Sequence, residues 1–162
     1  MQVTFILVEL MLSTSTIPDA LRAAGLRRTP ARVAVLTSIE ALDRPVSHAE
    51  LIATPALRDL DEITLYRTLA ALEEARLVHR VHGIDGIWRY GAQPRGRAGC
   101  PGNHAHFLCT TCGAMSCLVD QPMPRVMAPP GAEVEGRHLL AYGRCAACLA
   151  SSSATSQSGV TP

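Results

Sequence analysis

Apolar residues recur every three or four positions through the first half of the chain and give way to short alternating runs in the second. Pro18 is placed to open a short helix that ends at Gly25, a residue suited to the position just past a helix end. Thr29-Pro30 supplies an N-cap and first-turn pair, after which Val35, Ile39 and Leu42 fall on one helical face. Ser47-His48-Ala49-Glu50 has the S-x-x-E form of a capping box and predicts a third helix through Leu51 and Ile52. Leu65, Leu69 and Leu72 form the apolar stripe of a fourth helix over Ile63–Ala75.

Alternation then replaces the helical period. Strands are predicted near Leu77–His82 and Ile87–Gly91, with Asp85-Gly86 at the hairpin turn. Helices followed by a hairpin in this order describe a winged helix-turn-helix domain. From Ala92 to Asn103 the sequence AQPRGRAGCPGN has no apolar period and reads as a linker. Beyond it, His106–Thr110 and Glu133–Tyr142 are candidate strands, and the four prolines between Pro122 and Pro130 restrict any helix to a short piece at Arg125–Ala128. The expected fold class is therefore α+β. The domains are an N-terminal extension over 1–17, open to fraying or disorder, to a packed extra strand or to a true start at Met11, a winged-helix domain over 18–91, a hinge over 92–103, a small zinc-stapled α/β dimerisation domain over 104–149 and a disordered Ser/Thr-rich tail over 150–162.

Composition narrows the class. The chain of 162 residues is 48% hydrophobic and 18% charged, enough for a core and unlike a disordered protein. The opening MQVTFILVELML is too short for a bilayer span and lacks a signal-peptide pattern, which predicts a cytoplasmic protein without a membrane partner. A formal net charge of +1 does not announce a nucleic-acid partner, but the local distribution does more. Arg22, Arg27, Arg28 and Arg32 fall in a stretch without an acidic residue between Asp19 and Glu40, a basic face able to meet phosphates.

The strongest chemical signal is a pair of C-x-x-C motifs, Cys109/Cys112 and Cys145/Cys148. Four thiolates from two tight turns complete a closed tetrahedral shell suited to structural zinc. A disulfide framework is the alternative use of these residues. Cys100, Cys117 and six histidines remain for other work. His104 and His106 alternate, so on a strand both rings face one way. His48-x-Glu50 with a later C-x-x-C also has the outline of a zinc deaminase. Against that reading, Leu108 rather than proline precedes Cys109, and the capping box already accounts for Glu50.

Taken together, AGLRRTPARVAVL, SHAEL, TLYRTLAALEEARLVHRV, DGIWRY, HAHFLCTTCG and YGRCAAC resemble the ferric uptake regulator family, most closely its zinc uptake branch. The resemblance runs from about Pro18 to Leu149 and implies a metal-dependent repressor that binds a palindromic duplex operator as a homodimer and controls metal uptake genes. It implies that Thr64, Tyr66 and Arg67 read the major groove while Arg22, Arg27 and Arg28 meet phosphate or minor groove. It also implies one structural zinc and at least one regulatory zinc per subunit, the latter on His79, Cys100, His104 and His106, with Cys117 as an alternative thiolate. Two departures stand out: Tyr90 and Gly91 occupy a place where members often carry a ligand, and Cys117 replaces a ligating glutamate. A third site of some members is degraded here, with Asn103 and Ala105 at its positions. His138 reads as a strand residue without a metal role, His82 as a spare candidate and His48 as exposed and unligated. Iron-, nickel- or peroxide-responsive regulation is the alternative within the family.

Overall fold

The computed structural model describes residues 16–94, 100, 104–134 and 137–154, so the extension before Thr16, most of the linker and the end of the tail, including Asn103, lie outside the described residues. The chain divides into two compact units, Met1–Gly102 and Asn103–Pro162.

The first unit opens with α1 (Ile17–Ala23), capped by the Thr16 side chain, and α2 (Pro30–Leu42), capped by Thr29. The two-residue strand β1 (Val46–Ser47) leads directly into α3 (His48–Ile52). There the capping box forms as expected: the Glu50 amide donates to Ser47 Oγ at 3.2 Å, and the Ser47 amide donates back to the Glu50 carboxylate at 2.8 Å. Helix α4 (Glu62–Glu74) begins one residue before the expected start, because Asp61 serves as its N-cap and accepts from the Thr64 amide at 2.8 Å. Strands β2 (Val78–His82) and β3 (Trp88–Ala92) form the hairpin, and β1 pairs on the far side of β3, giving the antiparallel order β1-β3-β2. The short β1 carries too little pattern to be visible as a strand in the sequence.

Amphipathic stripes converge on one core. Leu21 of α1, Val35, Leu36 and Ile39 of α2, Leu51 of α3 and Leu65, Leu69 and Leu72 of α4 pack with Val46 and Val78. The wing is locked at its turn by Arg89, only 2% exposed, which donates to Asp85 through both terminal nitrogens at 3.1 and 2.7 Å. That guanidinium holds the Asp85 carboxyl down from the ordinary 3.8 to about 2. Gly83 makes the lock possible, since a Cβ there would lie 2.3 Å from Asp85 Oδ1 and 2.6 Å from an Arg89 nitrogen.

The second unit is a three-stranded sheet, β4 (His104–Cys109), β5 (Met115–Pro122) and β6 (Leu140–Gly143), in the order β5-β4-β6. Strand β5 runs antiparallel to β4, with an irregularity between His104 and Ala105, and β6 runs parallel to β4. Helix α5 (Ala146–Ala154) closes the unit.

Several expectations for this half are corrected. No helix forms at Arg125–Ala128, and of the expected strand over Glu133–Tyr142 the described residues form strand only from Leu140, continuing to Gly143, with exposed His138 outside it. The tail is not wholly irregular: α5 continues to Ala154, helped by the Ser151 hydroxyl bonding back to the Ala147 carbonyl at 2.8 Å. Strand β5 was not anticipated.

Candidate metal centres and nucleic-acid interface

The first cluster is the four-cysteine group. Cys109 ends β4 and pairs with Gly143 of β6, whose carbonyl accepts the Thr110 amide at 2.7 Å. This pairing carries the chain after β6 past the first knuckle, so Cys145 and then Cys148, in the first turn of α5, come up beside Cys109 and Cys112. Gly113 allows the first turn with a φ of +74°, and its amide donates to the Cys109 carbonyl at 2.9 Å. The four sulfurs all lie within 4.8 Å of one another, and none forms a disulfide.

The donor set fits zinc. A tetrahedral ion with metal–sulfur bonds of ~2.3 Å separates its sulfurs by roughly 3.8 Å, and Cys112 Sγ and Cys145 Sγ stand 3.9 Å apart. The backbone amides of Cys112 and Cys145 point at Cys109 Sγ and pull its thiol down to about 5, which favours the thiolate a metal requires. Cys148 is pushed the other way, to about 12, by its hydrogen bond with Cys145 and by burial among the other sulfurs. Four thiols this crowded do not all ionise unless a cation is supplied.

The second cluster is Cys100, His104, His106 and Cys117, whose ligand atoms also lie within 4.8 Å of one another. His104 and His106 are buried on β4, their rings 4.7 Å apart. Cys117 faces His106 directly across the β4–β5 pairing, so the two side chains share a face of the sheet. Cys100 and Cys117 thus both stand within reach of the two histidines. Two nitrogens and two sulfurs are again a donor set suited to a borderline-soft ion.

Gly91 explains how Cys100 reaches this region. The Cys100 amide donates to the Ala92 carbonyl at 2.7 Å, pinning the linker residue beside the end of β3. A Cβ on Gly91 would lie 2.9 Å from His79 Cε1 and 3.1 Å from Cys100 Cβ. The residue that looked like a lost ligand therefore leaves the space in which His79 and Cys100 both sit. Ala105, at a position of the degraded third site, is buried and offers no donor.

The candidate DNA-reading residues lie on α4. Tyr66 and Arg67 are exposed near its start, whereas Thr64 is only half-exposed and its amide is used in the Asp61 cap. Tyr66 also packs on α3: its ring stacks on that of His48, with centroids 4.1 Å apart and planes at 14°. His48 is accordingly half-buried, not exposed. Arg22, Arg27 and Arg28 are exposed, but Arg22 is paired with Asp19 at 3.1 Å. Arg32 is turned inward along the chain, donating to the Arg27 carbonyl at 2.8 Å. His82 packs on Trp88 of the facing wing strand, with centroids 4.4 Å apart. Glu50, the acidic residue of the deaminase outline, is held by Ser47 and by Arg44 at 2.7 Å, which leaves it no freedom as a proton carrier.

Comparison with known proteins agrees with this architecture. The model of the ferric uptake regulator family matches residues 23–129. Ferric uptake regulation protein 2 of Mycolicibacterium fortuitum is 31% identical over 147 residues, covering 85% of this chain and 96% of that protein. The transcriptional regulator FurA of Mycobacterium tuberculosis is 32% identical over 152 residues, covering 88% and 98% respectively. Among solved structures, the ferric uptake regulator of Vibrio cholerae superposes with a TM-score of 0.56 at 22% identity, over 79% of this chain and 98% of that one. A zinc-bound manganese uptake regulator does so with a TM-score of 0.58 at 20% identity, over 81% and 99%. These likenesses show that the chain shares their fold. Family members are metal-binding transcriptional regulators, not enzymes, and act as DNA-binding dimers. With the family model matching well over half of the chain and relatives above 30% identity covered nearly end to end, the chain belongs to the ferric uptake regulator family.

Proposed function

We propose that this protein is a zinc-responsive transcriptional repressor that binds a palindromic operator as a metal-loaded homodimer in the cytoplasm and controls metal uptake genes. The observation that carries the reading is the grouping of Cys100, His104, His106 and Cys117, with His79 against Cys100 at Gly91. Two thiolates and the imidazoles make a set softer than the carboxylate-rich sites suited to iron or manganese. One zinc on the four-cysteine group is structural, and at least one more on the second group is regulatory. His79, Cys100, His104, His106 and Cys117 are the regulatory donors. Regulatory metal stabilises the DNA-competent form, and a coupling of about 1–3 kcal/mol tightens operator binding by roughly 5- to 150-fold.

Thr64, Tyr66 and Arg67 are assigned to the major groove, with Arg22, Arg27 and Arg28 on phosphate or minor groove. Their exposure, apart from the half-covered Thr64, supports the assignment. The names of the curated relatives favour iron as the second reading.

The test is operator gel-shift of the protein stripped of regulatory metal and titrated with zinc, iron, manganese and nickel in turn. Zinc should act at the lowest free concentration, and His104→Ala should keep the folded dimer while losing the zinc response. Activation by iron or manganese but not zinc refutes the zinc reading, and a normal zinc response in His104→Ala refutes the site.

A further inference from the structure

Tyr66 is exposed on α4, but one face of its ring is already taken. His48, the first residue of α3, lies flat against it at 4.1 Å and 14°. The backbone of His48 has little freedom, because Ser47 is tied to Glu50 in the capping box and Glu50 is tied to Arg44. On its other flank Ser47 pairs with Arg89 of β3, the residue that locks the wing. His48 Nε2 is buried without a hydrogen-bond partner among the described residues. The pair lines a cavity of about 370 Å³ together with Ala49, Gly86, Ile87, Trp88 and Tyr90.

A tyrosine on an exposed helix face normally samples more than one χ1 rotamer and loses that freedom when it meets a ligand. Stacking against a fixed ring removes the alternatives in advance, so less is lost on binding. We propose that His48 is a positioning residue for DNA reading: it fixes the Tyr66 ring in one orientation, so that a free ring face and edge are presented to a thymine methyl in the major groove. His48 then sets base preference and leaves general affinity for DNA unchanged. This inference rests on the repressor reading above.

The test uses the zinc-loaded full chain and a palindromic duplex selected by it from a random pool. Binding is measured by fluorescence anisotropy on that duplex, on a random duplex, and on the selected duplex with thymines replaced by uracil. His48→Ala, which leaves the capping box in place, should bind the selected duplex roughly 3- to 10-fold more weakly. Its affinity for the random duplex should hold, and its thymine-to-uracil discrimination should shrink. Adding Tyr66→Ala to that variant should cost less than Tyr66→Ala alone, and His48→Phe, which keeps a flat ring, should restore discrimination. Unchanged discrimination in His48→Ala, an equal loss on all duplexes, or failure of His48→Phe to rescue overturns the positioning role while leaving the repressor reading standing. A wild-type protein that selects no duplex at all overturns both.

Discussion

The two units of this protein are held together by different physics. In the first, four helices and a hairpin bury a continuous set of large aliphatic side chains, from Leu21 to Leu72. In the second, the fully buried apolar side chains among the described residues are few, namely Ala105, Leu108 and Met115 beside Cys109. Val119, Val126, Met127, Leu139, Tyr142 and Leu149 meanwhile stand exposed. A unit this poor in core needs a staple and a partner. The four-cysteine cluster has the donors for the first, and the proposed homodimer would supply the second.

The difference is testable by breaking each unit where it is strongest. The largest effect is expected for Cys109→Ser or Cys145→Ser. A structural zinc site contributes on the order of 10 kcal/mol or more of binding free energy that is also folding free energy. Loss of one thiolate should therefore unfold the second unit and abolish the dimer while the first keeps its helical signal. Circular dichroism with size-exclusion chromatography reads this directly, and an intact zinc-loaded dimer in either variant would show that the staple is dispensable.

The matching lesion in the first unit is Leu69→Ala. Leu69 is fully buried between helices, and truncation there should cost about 2–5 kcal/mol by chemical denaturation. It should leave tightly bound zinc at the four-cysteine site unchanged. Loss of that zinc in Leu69→Ala would mean that the units do not fold on separate terms.

A smaller effect is expected at the wing. Asp85→Asn removes the charge that Arg89 is buried against, at an expected cost of roughly 1–3 kcal/mol. Because the folded carboxyl sits near 2, below its ordinary 3.8, its contribution is fully present above the ordinary value and is lost as pH falls through 3.8 toward 2. The stability gap between wild type and Asp85→Asn, read from stability curves, should therefore narrow from pH 7 to about pH 2.5. An unchanged gap would show that the ion pair does not hold the wing.

The same contrast governs how much was legible in the sequence. The first unit follows local rules: Thr29-Pro30, the Ser47–Glu50 box and the Leu65/Leu69/Leu72 stripe each name an element that the structure contains. The second unit is set by long-range strand pairing and by cysteines that meet from distant parts of the chain, which leave little periodic trace. Strand β5 went unseen because MSCLVDQP neither alternates cleanly nor avoids proline, and with it went the register that sets Cys117 across from His106. Gly91 read as a missing ligand because the sequence shows a side chain's absence but not the neighbours that fill the space. His48 read as an exposed helix residue for a related reason: the ring that covers it comes from another helix.

The smallest predicted effect separates arginines that look alike in sequence. Arg22, Arg27 and Arg28 form one basic run, yet Arg22 is engaged by Asp19, whose own carboxyl is lowered first by its hydrogen bond with Thr16 and further by Arg22. Both partners are largely exposed, so removing the pair should leave stability essentially unchanged. For DNA the distinction is in charge. An arginine already neutralised releases fewer counterions from a phosphate than one that is not, so Arg28→Ala should lower the salt slope of operator binding by about one and Arg22→Ala by less. Equal slopes for the two variants would show that Asp19 lets go of Arg22 on the operator, making all three arginines one phosphate-binding face.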